Sequence, residues 1–116
     1  MVLFWNKCQG GVWCKLNTVN LEHNHFQGME GVYMIWHGGM AAKVVYVGQG
    51  IIRDRLREHR SDNSIQEFGG LDLYATWASV LPQYRDGVER FLANTWGPIV
   101  GTAHPDADPI EVNSPW

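Results

Sequence analysis

Long apolar runs are missing from this sequence. The opening MVLFWNKCQ is cut by Asn6 and Lys7 well short of a signal-peptide core, and no later run reaches membrane-spanning length. A cytoplasmic protein without a membrane partner is the expectation. Cysteine is scarce: only Cys8 and Cys14 occur, and without an export signal free thiols are expected rather than a disulfide. Positive charge is in deficit, nine Lys+Arg against twelve Asp+Glu for a net charge of −3, which excludes a chain that grips nucleic acid through its global field. A local basic patch is still allowed. Also lacking are internal repeats, a linker, and any helix-turn-helix, zinc-finger or basic tail that would read a base sequence.

What is present describes a turn-rich globular chain. Over 116 residues, 45% hydrophobic content with six tryptophans and thirteen glycines suits one domain spanning 1–116 with one core. Residues 11–16 read as a strand, and 17–30 as a loop or short helical turn. From Gly31 to His37, GVYMIWH alternates Val32, Met34 and Trp36 on one side with Tyr33 and Ile35 on the other, so both sheet faces should be covered. Gly38-Gly39 turns the chain into a second strand, KVVYVG from Lys43 to Gly48, which Gly48 and Gly50 are expected to end. The simplest assembly is a hairpin.

Helical spacing over 51–60 puts Ile52, Arg55, Leu56 and His59 on one face, and Arg53, Arg57 and Arg60 on the other. Residues 61–70 read as a loop and 71–80 as a third strand with Leu71, Leu73, Ala75 and Trp77 on one face. After Pro82, a helix over 84–96 carries Val88, Phe91, Leu92, Thr95 and Trp96 on one stripe, with Glu89 at its margin, where a carboxylate can look into a cleft. Residues 98–116 hold four of the five prolines and suggest an extended strap or a partly ordered end.

GVY at 31–33, YVG at 46–48, Arg55 with His59 four residues on, and Glu89 in a late helix resemble the GIY-YIG endonuclease superfamily. The likeness covers about residues 31–101, a nuclease-like core with N- and C-terminal extensions outside it. It implies an α+β fold, a small, mainly antiparallel three-stranded sheet flanked by helices. It also implies metal-dependent hydrolysis of phosphodiester bonds, most simply in DNA, with a single divalent ion, Mg²⁺ or Mn²⁺, held largely by Glu89. A hard cation accepts one carboxylate plus phosphate oxygens and waters, and the forked guanidinium of Arg55 suits charge growing on a phosphate.

Other roles stay open at this stage. Tyr33 or Tyr46 is the general base, Tyr33 by resemblance, and a free phenol with a pKa of about 10 would need a neighbouring cation to lower it. His59 shares the base role, contacts phosphate or holds a tyrosine hydroxyl. Lys43, Arg53, Arg57 and Arg60 are candidate phosphate-binding residues, although Asp54 and Glu58 among the arginines fit a self-neutralised solvent face equally well. The family's asparagine after the glutamate helix falls at Gly101 here, with Asn94 and Asn113 as replacements and a loss of activity as the consequence to test. A catalytically weak nucleic-acid-binding or protein-binding module is the alternative function. Cys8, Cys14, His23 and His25 make a less regular set of zinc ligands, with a spacing unlike the usual knuckles. Trp5, Phe26 or Phe68 are candidates for stacking on unpaired bases.

Overall fold

The computed structural model describes residues 1–101 and 103–116. Among these, the elements run β1 (Cys14–Lys15), β2 (Glu30–His37), β3 (Lys43–Ile51), α1 (Ile52–His59), α2 (Asn63–Gln66), β4 (Leu73–Ser79) and α3 (Pro82–Trp96). The strands form one antiparallel sheet in the order β1-β4-β2-β3. The α+β class is as expected, but the sheet has four strands rather than three. Cys14 and Lys15 pair with Ala75 and Tyr74, and Leu16 N–H donates to the Leu73 carbonyl at 2.9 Å. The N-terminal segment thereby covers an edge of β4 that a three-stranded sheet would leave with open backbone groups.

Strand β2 is central, and its alternation divides the core as the pattern requires. Val32 and Met34 enter a cluster with Leu3, Trp5, Val88, Leu92 and Val112. Tyr33 and Ile35 enter the other, with Leu16, Leu21, Phe26, Ile52, Leu56 and Ile65. Helices α1 and α3 therefore cover opposite faces of the sheet. Gly31 is required by backbone proximity, since a Cβ there would lie 1.9 Å from the Ala78 carbonyl oxygen. Strand β3 does not end at Gly48 but continues to Ile51, with Gly48 opposite Tyr33 and Gly50 opposite Gly31. Gly48 is a space-maker rather than a strand breaker: a Cβ there would sit 2.5 Å from the Tyr33 hydroxyl.

Helix α1 buries Ile52, Leu56 and His59 at i, i+4 and i+7. The expected loop at 61–70 contains α2, whose start is capped by Asp62: its Oδ1 accepts from Ser64 N–H at 3.0 Å, and Ile65 is buried behind it. The third expected strand is shorter than 71–80, because Leu71 lies in a 3-10 turn and is exposed. In α3, Pro82 occupies the first turn, where its missing N–H costs nothing, and Gly97 closes the helix at φ +54°. Its buried stripe is Gly87, Val88, Glu89, Leu92 and Ala93, leaving Thr95 and Trp96 exposed on the last turn.

Free thiols were expected, yet Cys8 and Cys14 form a disulfide. The intervening turn explains their approach: Gly10 and Gly11 take φ +81° and +71°, and Cys8 N–H donates to the Val12 carbonyl at 2.8 Å. With both thiols oxidised, the cysteines cannot join His23 and His25 around zinc, and His25 Nε2 already accepts from Trp77 Nε1 at 2.9 Å. The described residues after α3, 97–101 and 103–116, form an extended strap, the first of the two expectations for this end of the chain. Asn113 locks it to the N-terminal segment, accepting from Leu3 N–H at 2.6 Å and donating to the Leu3 carbonyl at 3.0 Å. Among the described residues, no helix is long and apolar enough to cross a membrane.

Candidate active site

Tyr33 projects from the central strand into the α1 side of the core and is wholly buried. Its hydroxyl lies 2.6 Å from His59 Nε2, the residue α1 delivers one turn after Arg55. Tyr46, partly buried on the neighbouring strand, stacks on Tyr33 at 6.0 Å and approaches the His59 ring to 4.4 Å. Burial, then the Arg55 cation, pull the His59 pKa down to about 4 against the opposing pull of Asp62. His59 is therefore neutral near pH 7, so the Tyr33 hydroxyl donates to Nε2 and the imidazole proton is assigned to Nδ1. Nδ1 is buried without a hydrogen-bond partner, 4.0 Å from Asp62 Oδ2.

Burial raises the Tyr33 pKa, Arg55 opposes that rise, and Tyr46 and Glu89 add to it. The net direction is upward, opposite to the lowering that a general-base tyrosine was expected to need. Arg55 itself is penalised by burial, but the tyrosines and Glu58 outweigh this and hold its pKa above the ordinary arginine value. It stays charged. One of its terminal nitrogens donates to Glu58 Oε2 at 2.9 Å, and its Nε is buried and unpartnered.

Glu89 comes from α3, on the opposite sheet face, and is buried at 6% exposure. The strap joins it to the tyrosines. After Gly97, Ile99 and Val100 N–H groups donate to the Val44 and Val45 carbonyls along the β3 edge at 3.2 and 2.8 Å. Gly101 then lies against the Tyr46 ring at φ +72°, where a Cβ would be 2.5 Å from Cε2. Three residues on, His104 Nδ1 meets Glu89 Oε2 at 2.9 Å. An asparagine at position 101 would have to displace Tyr46. Neither proposed replacement reaches the site: Asn113 clamps the strap, and Asn94 is exposed.

His104 is the site residue that sequence reasoning missed. Nothing periodic marks it, because the strap has no regular secondary structure. The other candidate cations have different partners. Arg53 Nε donates to the Leu21 carbonyl at 2.6 Å, Arg60 Nε to the Leu16 carbonyl at 2.7 Å, and Arg57 pairs with Glu22. They tie α1 to the N-terminal segment, a use weighed neither as phosphate patch nor as self-neutralised face. Lys43 lies away from them, in a cavity of about 610 Å³ lined with Trp36, Val44, Trp96 and Trp116. Trp5 and Phe26 are core residues, and Phe68 stacks on His37 at 5.5 Å, so the exposed aromatics among the described residues are Phe4, Tyr84, Trp96 and Trp116 instead.

Among the described residues, no group of three or more His, Cys, Asp or Glu is arranged to hold a metal. Glu89 and His104 together offer one carboxylate and one imidazole. Comparison with protein-family models, curated proteins and solved structures finds no match to this chain.

Proposed function

We propose that this protein is a metal-dependent endonuclease of the GIY-YIG type acting on DNA. The observation that carries the reading is the convergence of Tyr33, Tyr46 and His59 into one hydrogen-bonded and stacked group, with Arg55 one turn before His59 on α1. Glu89 and His104 offer a carboxylate and an imidazole, donors that suit a divalent cation. When bound, such an ion polarises a phosphoryl oxygen and neutralises developing charge.

The chain's own residues then divide the work. Arg55, held charged and with its side chain one-third exposed, steadies the phosphate as negative charge grows in the transition state. Tyr33 need not become a free phenolate: as its oxygen takes a proton from the attacking water, its own proton passes to His59 Nε2. Asp62 near Nδ1 favours the imidazolium so formed. Tyr46 packs both rings in place.

The test is cleavage of single-stranded, double-stranded and branched DNA, and of RNA, with Mg²⁺ or Mn²⁺, comparing the wild type with Arg55→Ala and Glu89→Ala. Both variants should lose cleavage. Activity surviving in both would sink the proposal. A second reading, a binding module without useful catalysis, draws support from the fully buried Tyr33 hydroxyl and its upward-shifted pKa. It expects nucleic-acid or protein binding with no metal-dependent cleavage. A cytoplasmic location belongs to the same proposal; that compartment keeps thiols reduced. Thiol alkylation and intact mass of protein taken directly from cells test it, since an oxidised Cys8–Cys14 pair there argues for another compartment.

A further inference from the structure

We infer that the cavity walled by Trp36, Trp96 and Trp116 is a subsite for one unpaired nucleotide of a nucleic-acid strand, its base against the indoles and its phosphate on Lys43. This rests on the reading of the protein as one that acts on nucleic acid, and it names the form held there as single-stranded rather than duplex.

Three observations meet at this place. First, it is a cavity and not a flat patch: its volume of about 610 Å³ falls within the range of small-ligand sites, about 300–1,000 Å³. Second, its walls are aromatic and set as corners. Trp116 meets Trp36 and Trp96 with ring centroids 4.9 Å apart in both pairs, at interplanar angles of 90° and 79°. A flat ring entering such a corner lies face-on to one indole and edge-on to the next, the arrangements that aromatic pairs favour. Trp96 and Trp116 stay open to solvent, while Trp36 is the buried wall. Third, the charge at the cavity has one sign. Lys43 lines it and no Asp or Glu side chain does, and none of the ion pairs among the described residues includes Lys43.

That combination selects among occupants. A quaternary ammonium ligand would place a second cation beside the Lys43 ammonium. A neutral sugar or a proline-rich segment would use the indoles but leave Lys43 without a counter-charge. A nucleotide supplies both halves, a flat ring for the indoles and an anion for the lysine. Bases in a duplex are already stacked and paired, so taking one out costs unstacking energy that an unpaired base does not. With a net charge of −3 on the chain, stacking rather than the global field has to carry most of the affinity. The place also adjoins the tyrosine group, since Lys43 and Tyr46 are three residues apart on β3, about 10 Å of strand.

The experiment is fluorescence anisotropy in EDTA with a labelled single strand of about ten nucleotides, its blunt duplex and an abasic strand of equal length. Wild-type protein should bind the normal single strand about tenfold or more tighter than either of the others. Trp116→Ala should weaken that binding about tenfold, and Trp116→Phe should recover most of it, because a ring is still there to stack. Lys43→Gln should weaken it about threefold and flatten the slope of log K against log salt by about 0.7, one phosphate's share. Lys43 is exposed, so its variant decides the matter if thermal unfolding shows Trp116→Ala to be misfolded. Equal affinity for the abasic strand or the duplex overturns the inference. So does full affinity in folded Trp116→Ala, or an unchanged salt slope in Lys43→Gln. A proline-rich peptide that binds through Trp116 where the single strand does not would give the cavity to a protein partner, which also overturns it. Cleavage with Mg²⁺ is a separate readout. Trp116-dependent binding of single strands without cleavage leaves this inference standing and removes the nuclease. Cleavage with single-strand binding indifferent to Trp116 does the reverse.

Discussion

Helix α1 and the residue that caps its C-terminus carry four arginines, and they are put to different uses. On the outward face Arg53 and Arg60 spend their donors on the carbonyls of Leu21, His23, Leu16 and Val19, and Arg57 pairs with Glu22. On the inward face Arg55 sits against the tyrosines with Nε unpartnered. A guanidinium has five donors, and what it can bind depends on how many are already engaged. Arg53 and Arg60 hold the helix to the N-terminal segment, and Arg57 makes an exposed ion pair. Arg55 is the one set against the tyrosines.

That contrast can be broken in four ways, and the strongest is Arg55→Ala. It should reduce cleavage about a thousandfold, about 4 kcal/mol of transition-state stabilisation, with little change in the urea midpoint. A loss of folding comparable to the loss of rate would put Arg55 among the structural arginines.

His59, on the same inward face, should give the acid limb of stability. Its folded pKa of about 4 lies below the unfolded value near 6.5, so the unfolded chain binds the extra proton. Stability is full above about pH 6.5 and falls as pH drops toward about 4, by on the order of 3 kcal/mol. Urea titrations at pH 7.5 and pH 4.5 should show the wild type losing more than His59→Asn, and parallel losses would remove the assignment.

On the outward face, Arg60→Ala leaves the Leu16 and Val19 carbonyls without their donor and should cost about 2 kcal/mol. Its cleavage rate per folded molecule should match the wild type, whereas a rate defect would return Arg60 to the phosphate. Arg57→Ala should change stability by less than about 0.5 kcal/mol, because its ion pair is exposed. A larger effect on thermal unfolding would mean that the Glu22 contact orders its loop.

These differences explain which parts of the structure the sequence disclosed. The alternation in GVYMIWH and the four-residue spacing of Arg55 and His59 are local regularities, and both survive into the fold with Tyr33 and His59 in contact. Glu89 was legible as the margin of a helical stripe. The fates of Arg53 and Arg60 were not, because their partners are carbonyls in an irregular segment about thirty to forty residues earlier in the chain. His104 and the Asn113 clamp depend on contacts across 15 and 110 positions, with no period to announce them. The Cys8–Cys14 bridge was misjudged because compartment, read from the lack of an export signal, was weighed above the turn made by Gly10 and Gly11.

The strap that carries His104 also sets an order of events during synthesis. Tyr33, Tyr46, Arg55 and His59 leave the ribosome together and can close on one another while the chain is still growing. Glu89 follows, and its partner His104 only after a further fifteen residues, with the Asn113 lock to Leu3 later still. The residues of the tyrosine cluster are therefore all made before the carboxylate's partner is. Any activity that depends on that pairing waits until His104, and then Asn113, has been made.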